Sequence, residues 1–403
     1  MSAVQFLGPY DTEKVLSGVL KALPVKRPNY MQGFFPEITP TNKRTINFDQ
    51  EYSTKNVMGM FVEPRADVDP IRLPTFGHKE LTFAYSKEGI DSDEFEELNS
   101  RQIGDQFGQV DVLKNKAARF VRKVMLAEQR FENLFEYVAS SLVMYGGYKA
   151  ASEKHPIVIY DFGRTVATLA SQIHWDADTH LHLVPSVNLT ENEVASPWGT
   201  VAMPVIATDS GAGYTQGQRK WTKALVTAGT ATPVKDVTLM VQTCNERSTI
   251  KSIVMQDDAW DVFSFDVNTN YKDAASKILY VTSPVELIVK PQLAVVNGLT
   301  FRQMWTFENG LSVPIYSYNG VYNDRTTGVE TNYVGSGWVF ALPDTGGLKV
   351  HGRIMHPKAN WNAQARWLNY WMDDKTGTEE WESHTSFIMG HTIINAVVAW
   401  KVR

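Results

Sequence analysis

The longest amphipathic pattern in the chain lies between Phe107 and Tyr145. Apolar residues recur there at steps of three and four, which places them on one stripe of an α-helix. The stripe consists of Leu113, Ala117, Phe120, Val121, Val124, Ala127, Phe131, Leu134, Phe135, Val138 and Leu142. Gly146 and Gly147 follow, and glycine readily adopts the left-handed conformation that ends many helices. The pattern predicts one long helix over residues 107–145.

The charges of this predicted helix oppose its dipole. Basic residues crowd its N-terminal half, and acidic residues lie toward its C-terminal end. They are Lys114, Lys116, Arg119, Arg122 and Lys123, followed by Glu128, Glu132 and Glu136. The helix dipole favours the reverse order by about 0.3–1 kcal/mol per charge near an exposed end. Two interpretations stay open: a solvated polar face, or charges that answer charges on another element or subunit.

Residues 1–45 have the composition of an extended arm. Prolines 9, 24, 28, 36 and 40 favour extended backbone. Between Asp11 and Leu23 the spacing predicts a short amphipathic helix, whose apolar side comprises Val15, Leu16, Val19, Leu20 and Leu23. Four further apolar residues require burial: Tyr30, Met31, Phe34 and Phe35. We therefore expect the arm to lie on its own domain or on a neighbour's.

Alternating residues predict an extended β-hairpin loop over residues 46–85. The predicted strands cover residues 44–49, 57–62 and 80–85, and a proline-rich turn region separates the last two. A two-stranded hairpin alone is marginal in water, so we expect it to lie over a neighbouring subunit. The acidic residues 91–97 that follow are interpreted as a solvated connection.

Beyond the long helix, residues 147–150 and 156–161 predict a second hairpin. Residues 165–218 are poor in charge and rich in Ser, Thr and Gly, and we interpret them as a β-rich insertion. Within them, residues 174–183 alternate with the period of a half-buried strand.

From Pro233 onward the pattern is mixed α/β. Helices are predicted at residues 234–245, from an Asp257-Asp258 cap onward, and at 274–278. Strands are predicted at residues 250–255, 285–289, 304–307, 313–318 and 337–342. A final strand over residues 386–402 is expected to pair back into an earlier sheet.

Composition narrows the class of protein. The 403 residues suggest two or three domains, and a net charge of −5 gives no basic bias typical of nucleic-acid binders. The single Cys244 excludes an internal disulfide framework, fits a reducing compartment and is interpreted as a small buried hydrophobe. No signal peptide or apolar run of about 18 residues is present. We expect a mature cytoplasmic product without a membrane segment.

Catalytic motifs are weak throughout. G-x-S-x-G, P-loop, dinucleotide and zinc spacings are absent. One polar set could share a strand face and bind a metal, or could simply be an exposed face: His174, Asp176, Asp178, His180 and His182. The eleven tryptophans could stack on sugars or bases, or pack cores. We expect no enzymatic activity, catalytic residue, metal or cofactor.

Several local motifs, in this order, resemble one family. They are Phe34-Phe35 with Arg44–Asp49, Gly59–Pro64, Asp161–Arg164, Trp221 with Pro233–Val237, and Ile253–Met255 with Ala259–Phe263. Together with the order of arm, hairpin, long helix, hairpin and mixed domain, they resemble the major capsid protein of tailed bacteriophages, which has the Hong Kong-type fold. Within it the chain looks most like the lambda-type major head proteins.

The resemblance implies an α+β tailed-phage capsid fold. It assigns residues 1–45 to the N-terminal arm and 46–85 to the extended loop. Residues 86–164 and 366–403 form the peripheral domain with its spine helix, and 219–365 form the axial domain. Residues 165–218 are an insertion that the family does not supply.

The resemblance also implies a function: self-assembly as pentamers and hexamers into an icosahedral head shell that encloses phage DNA. The implied partners are a scaffold protein, a portal, and packaged double-stranded DNA in weak non-specific contact. The scaffold protein would be supplied in trans, since no long charged N-terminal region is present. A decoration or cementing protein is left open. Negative charge suits such a container, because a basic wall would hold DNA at many phosphates. The protein would be made in the host bacterial cytoplasm and reside in the virion.

Three alternatives remain. The same fold could form a prokaryotic nanocompartment shell around an enzyme. The tryptophans could belong to a carbohydrate-binding or tail-associated β-rich protein. The histidines and aspartates of residues 174–182 could serve a metal-dependent enzyme.

Overall fold

The computed structural model describes seventeen stretches of the chain. They are residues 30–51, 76–91, 112–152, 155–162, 174–175, 181–182, 193–196, 199–202, 221–229, 231–245, 248–271, 298–306, 311–323, 328–344, 347–372, 379–392 and 397–402.

The described elements comprise four α-helices, two short 3-10 helices and twenty strands. The α-helices are α1 (Val112–Tyr145), α2 (Lys223–Thr227), α3 (Pro233–Asn245) and α4 (Asp257–Asn270). The 3-10 helices are Met31–Phe34 and Pro357–Ala359. The first ten strands are β1 (Glu37–Ile38), β2 (Thr45–Glu51), β3 (Phe76–Thr82), β4 (Ala84–Asp91), β5 (Gly147–Ser152), β6 (His155–Asp161), β7 (His174–Trp175), β8 (Leu181–His182), β9 (Glu193–Ser196) and β10 (Gly199–Ala202). The others are β11 (Ile250–Met255), β12 (Leu299–Thr306), β13 (Ser312–Tyr318), β14 (Val321–Asn323), β15 (Glu330–Asn332), β16 (Trp338–Pro343), β17 (Leu348–His351), β18 (Trp367–Met372), β19 (Glu379–Gly390) and β20 (Val398–Lys401).

The long helix is confirmed as α1, which we call the spine helix. It runs for 34 residues from Val112 to Tyr145, and residues 107–111 lie outside the described part. Gly146 ends it with a φ of 73°, the left-handed conformation that glycine tolerates best. From Val124 onward, where the side chains are described, the predicted apolar stripe packs into the core, with Phe131 and Phe135 both buried. None of the described helices is long and apolar enough to span a bilayer.

A five-stranded central sheet lies against the spine helix. Its order is β12-β13-β11-β16-β20, in which β11 and β13 are parallel and the other pairs antiparallel. Alternation along β11 sends Val254 into the core shared with the spine helix, while Ile253 and Met255 enter a second core. Because both faces are covered at the middle of the sheet, β11 and β16 are buried along nearly their whole length.

The second core belongs to α2, α3 and α4. Trp221 and Cys244 are buried in it, which confirms the expected burial of the cysteine. The helix predicted at residues 234–245 and the strand at 250–255 are confirmed. The Asp257-Asp258 cap was wrong by one residue: Gln256 is the N-cap and accepts the Asp257 amide at 3.1 Å. The two aspartates occupy the first turn, where negative charge suits the dipole.

A second sheet, which we call the peripheral sheet, packs against the spine helix through β4 and β19. Its order is β1-β17-β19-β18, and β4 pairs with β19. The predicted strand over residues 80–85 is wrong at its end, because β3 stops at Thr82 and a new strand begins at Ala84. Phe83 separates them and packs against Gly352, where an added Cβ would meet its ring at 2.6 Å. The chain thereby passes from the extended hairpin into the peripheral sheet.

The second predicted hairpin is confirmed, and the described ends of the first are paired strands. β2 and β3 pair antiparallel from Thr45↔Thr82 to Glu51↔Phe76, and β5 pairs with β6. The strand predicted at residues 57–62 lies outside the described residues, as do most of the acidic connection after Asp91, the helix predicted at 274–278, the strand predicted at 285–289 and the arm before Tyr30.

The final predicted strand, residues 386–402, is wrong as one element. It divides into β19, which lies in the peripheral sheet, and β20, which pairs with β16 of the central sheet. Apolar residues lie on both sides of Gly390-His391-Thr392, so the prediction joined the two strands into one. The expected return of the C-terminus to an earlier sheet is confirmed, and it joins the 219–365 segment to the 366–403 segment.

The described pieces of residues 165–218 are two small hairpins, β7–β8 and β9–β10. The single strand predicted over residues 174–183 is wrong, because His174 pairs across a hairpin with His182. Whether these residues form one inserted subdomain stays a prediction.

Candidate assembly site

The spine helix carries a buried carboxylate that connects three parts of the chain. Glu136 is fully buried, and the Met31 and Gln32 amides of the arm donate to its two oxygens at 3.0 Å each. From the central sheet, the Tyr318 hydroxyl donates to Glu136 Oε1 at 2.5 Å. Burial raises the pKa of the Glu136 carboxyl, and these donors oppose the rise. The arm, the spine helix and the central sheet are thus tied at one group.

One and two turns earlier in the spine helix, a half-buried arginine contacts the other two carboxylates. Arg366 Nε donates to Glu128 Oε2 at 3.0 Å, and its NH2 group lies 3.3 Å from Glu132 Oε1. Its guanidinium lies 4.8 Å and 4.6 Å from the ring centroids of Phe131 and Phe135. Burial raises the pKa of Glu128, and Arg366 opposes that rise. The helix therefore carries acidic residues against its dipole because another element neutralises them.

The N-terminal arm is also held by a short parallel strand pair. β1 pairs with β17, and Lys349 donates its amide to the Pro36 carbonyl at 3.0 Å. The Glu37 carboxylate contacts His351 Nε2 at 3.2 Å and Lys349 Nζ at 3.3 Å. The hydrogen bond from His351, together with the charges nearby, lowers the pKa of Glu37 to about 2.

The root of the extended hairpin is anchored in the same core. Phe48 of β2 packs edge-to-face on Phe162, with ring centroids 5.5 Å apart. Gly390 leaves room for both rings, since an added Cβ there would collide with Phe162 and Phe48. The hairpin beyond Glu51 and before Phe76 lies outside the described residues.

Strand β4, which follows the hairpin, contacts a titratable histidine of β19. Tyr85 Oη and His384 Nδ1 are 2.5 Å apart across β4 and β19. Burial lowers the pKa of His384 to about 4, and the nearby Glu382 carboxylate opposes the shift. Lys87 forms an ion pair with that carboxylate. These groups join β4 to the peripheral sheet.

The metal candidate is not assembled in the described residues. His174 and His182 are opposite each other in the β7–β8 pair, and Asp176, Asp178 and His180 lie outside the described part. Within the described ranges, no group of three or more His, Cys, Asp or Glu residues is placed to bind a metal ion.

Most described tryptophans pack cores. Those with the smallest exposed fractions are Trp221, Trp305, Trp338, Trp367, Trp381 and Trp400. Trp361 differs, with 48% of its surface exposed. The arrangement therefore uses these rings mainly for burial.

Sequence reasoning found the carboxylates but missed their partners. Arg366 and Tyr318 lie far along the chain and have no local pattern that marks them. The reversed charge order on the spine helix was the available signal, and the structure selects the interpretation that another element answers it. Chemically, the site binds polypeptide segments together and holds the arm in place.

Comparison with known proteins supplies the context. No protein-family model matches the sequence, and no curated protein matches it either. Among solved structures, a protein assigned as the capsid protein of a prophage of E. coli CFT073 is similar, with 13% identity and a TM-score of 0.58, covering 97% of this chain and 99% of that one. The cyanophage A-1(L) capsid gives 12% identity and a TM-score of 0.44, covering 94% and 93%.

A third similar structure is an encapsulin from Synechococcus elongatus PCC 7942, with 10% identity, a TM-score of 0.37, and coverage of 96% and 94%. Of the three, the prophage protein alone exceeds a TM-score of 0.5, and it matches along nearly the full length of both chains. This likeness, together with the mixture of helices and strands, shows that the chain has the α+β fold of tailed-phage capsid proteins.

Proposed function

We propose that this chain is a major capsid protein, which self-assembles into the icosahedral head shell of a tailed bacteriophage. The observation that carries the proposal is the full-length likeness to the prophage capsid structure. The finer assignment, to the lambda-type major head proteins, is supported by the motifs from Phe34-Phe35 to Ala259–Phe263.

The physical support comes from the β2–β3 hairpin, which is anchored at Phe48 in the chain's own core and extends from there as two paired strands. The β2–β3 hairpin forms a separate two-stranded sheet, and such hairpins are marginal in water unless another surface covers them. Copies related by rotation would cover one another's hairpins and form closed rings. Rings of five and six subunits together form a closed shell. In this assembly residues 219–365 face the local axis, residues 86–164 and 366–403 form the periphery, and residues 165–218 project as an insertion.

The proposed partners follow from this role. A scaffold protein acts in trans, a portal occupies one vertex, and packaged double-stranded DNA makes weak contact with the inner wall. The net charge of −5 fits such weak contact. A decoration protein is compatible with the fold. The protein is made in the host cytoplasm, resides in the virion and has no enzymatic activity.

Electron microscopy of the purified full-length protein tests the proposal. We expect closed particles built from five- and six-fold units, with DNA as cargo when the particles are isolated from phage-producing cells. A compact monomer that forms no particles contradicts the function. Closed particles that contain an enzyme and no DNA instead support a nanocompartment shell of the same fold.

A matched variant sharpens the test. Replacing residues 52–75 by a two-residue turn keeps β2 and β3 but removes the rest of the hairpin. We expect the variant to retain its circular dichroism spectrum and to lose particle formation, because neighbours would have nothing to overlap. Normal particles from this variant would show that the hairpin does not join subunits.

A further inference from the structure

An open cleft lies between the middle of the spine helix and the β14–β15 hairpin. Its volume is about 480 Å³. Gln129 and Asn133 line it from the helix, while Tyr322, Glu330 and Tyr333 line it from the opposite side. The contacts described above for the arm, for Arg366 and for the root of the hairpin involve other residues.

Beside the mostly polar lining of the cleft lie three exposed apolar residues. Val321 lines the cleft and is 46% exposed, and Val329, 59% exposed, directly precedes Glu330. Leu126, also 59% exposed, lies one helical turn before Gln129 and therefore on the same side of the spine helix. Clustered exposed apolar side chains beside a groove mark a binding surface more often than scattered ones do.

A buried polar group in the cleft wall lacks a partner. Tyr333 is only 4% exposed, and its hydroxyl makes no hydrogen bond within the described residues. Its ring stacks on Tyr322, with centroids 4.9 Å apart. A buried donor without an acceptor costs about 1–3 kcal/mol, so the wall is incomplete as described.

The described part of the arm begins beside this cleft. The Met31 amide donates to Glu136, which lies one helical turn from the cleft-lining Asn133. The preceding residue, Tyr30, hydrogen-bonds Ser252 and contacts the Tyr316 ring, so the chain enters the core at this end of the central sheet. Residues 24–29 can span about 20 Å when extended, which is enough to bring residues 11–23 to the cleft.

Residues 11–23 offer an apolar stripe for the exposed apolar residues beside the cleft and positive charge for Glu330. Five apolar residues recur there at helical spacing: Val15, Leu16, Val19, Leu20 and Leu23. Lys14 and Lys21 are available for the acidic Glu330 side. An amphipathic helix in an apolar-rimmed groove is a recurrent mode of peptide recognition.

We propose that residues 11–23 of the chain bind in the cleft between its own spine helix and its β14–β15 hairpin, with their apolar stripe on Leu126, Val321 and Val329. The inference goes beyond the shell function, because it assigns an occupant to a specific surface within one copy. It also holds for a protein that forms no shell.

Disulfide trapping in the full-length chain tests the proposal. Cys244 is the only native cysteine and is buried, so disulfide formation can be attributed to the introduced pair of cysteines. We expect the L16C/V321C variant to form an intrachain disulfide at least tenfold faster than the L16C/L225C variant. Leu225 is the matched control, because it is 36% exposed on α2, across the central sheet from the cleft.

Equal rates for the two pairs, or no disulfide in L16C/V321C, would overturn the proposal. A disulfide that forms only between chains would also overturn it, since the occupant would then be a segment of another copy. Peptide mass spectrometry after mixing isotope-labelled and unlabelled protein separates intrachain from interchain bonds.

Limited proteolysis supplies a second measurement that needs no cysteine. Val321→Asp places a charge on the rim at an exposed position, so the fold is retained. We expect trypsin to cleave after Lys14 and Lys21 several-fold faster in this variant, while Leu225→Asp leaves the rates unchanged. Unchanged cleavage in Val321→Asp would also count against the docking of residues 11–23.

Discussion

The Tyr318 hydroxyl donates to Glu136 Oε1 at 2.5 Å, although the two residues are 182 positions apart in the sequence. Burial raises the pKa of Tyr318, so the phenol keeps its proton and remains a donor. The same carboxylate accepts the amides of Met31 and Gln32. A single buried group therefore fixes the arm and the central sheet on the spine helix.

Glu136→Gln tests this junction. The amide keeps the shape of the side chain but offers one acceptor oxygen where two are used, so a buried backbone N–H loses its partner. We expect a loss of about 1–3 kcal/mol in the free energy of unfolding, measured by urea denaturation at fixed protein concentration.

Glu80→Gln is the matched control, because Glu80 accepts from Thr45 at an exposed position of the hairpin. We expect its effect to stay within about 0.5 kcal/mol. If the two variants have equal free energies of unfolding, the hydrogen bonds to Glu136 do not stabilise the fold.

Arg366→Met separates a buried ion pair from an exposed one. The variant leaves Glu128 buried without its cation, and uncompensated buried charge costs about 3–5 kcal/mol. We expect a loss of that size in the unfolding free energy. The comparison is Arg130→Met, which removes the exposed pair with Glu88 and should cost at most about 1 kcal/mol. Similar losses in both variants would contradict the role of burial.

Glu37 makes arm docking dependent on pH. The pKa of Glu37 is lowered from 4.5 to about 2, so its contribution is present above pH 4.5 and is lost as the pH falls toward 2. Because the side chain is 44% exposed, the contribution is about 1 kcal/mol or less.

Hydrogen exchange at the Lys349 amide, which bonds Pro36, reports this docking directly. At pH 6 we expect faster exchange in Glu37→Gln than in the wild-type protein, and the difference should shrink as the pH falls below 4. A difference that is constant across this range would contradict the assignment to Glu37 ionisation.

Gly390→Ala tests the packing at the root of the hairpin. The added methyl would collide with Phe162 and Phe48, and overpacking of a filled core costs about 1–3 kcal/mol. We expect a lower midpoint of thermal unfolding. Gly33→Ala serves as the control, since its Cβ would meet no atom within 4 Å. Equal midpoints for both variants would show that the hairpin root tolerates displacement.

Local periodicity was sufficient for the elements whose environment is uniform along their length. The spine helix, α3, β11 and the second hairpin follow from spacing, since the surroundings of each change little along its length. Periodicity failed where a run of similar residues changes partners. Residues 386–402 are largely apolar on both sides of Gly390-His391-Thr392, so the prediction joined two strands that lie in different sheets.

The order of arm, hairpin, spine helix and mixed domain could be derived from the sequence alone, because helix and strand periods depend on near neighbours. The partners of Glu128 and Glu136 were decided only in three dimensions. Arg366 is 238 residues from Glu128, and Tyr318 is 182 residues from Glu136. Hydrogen bonds between such distant groups depend on how the sheets pack on the spine helix. The spacing of residues along the chain does not determine that packing.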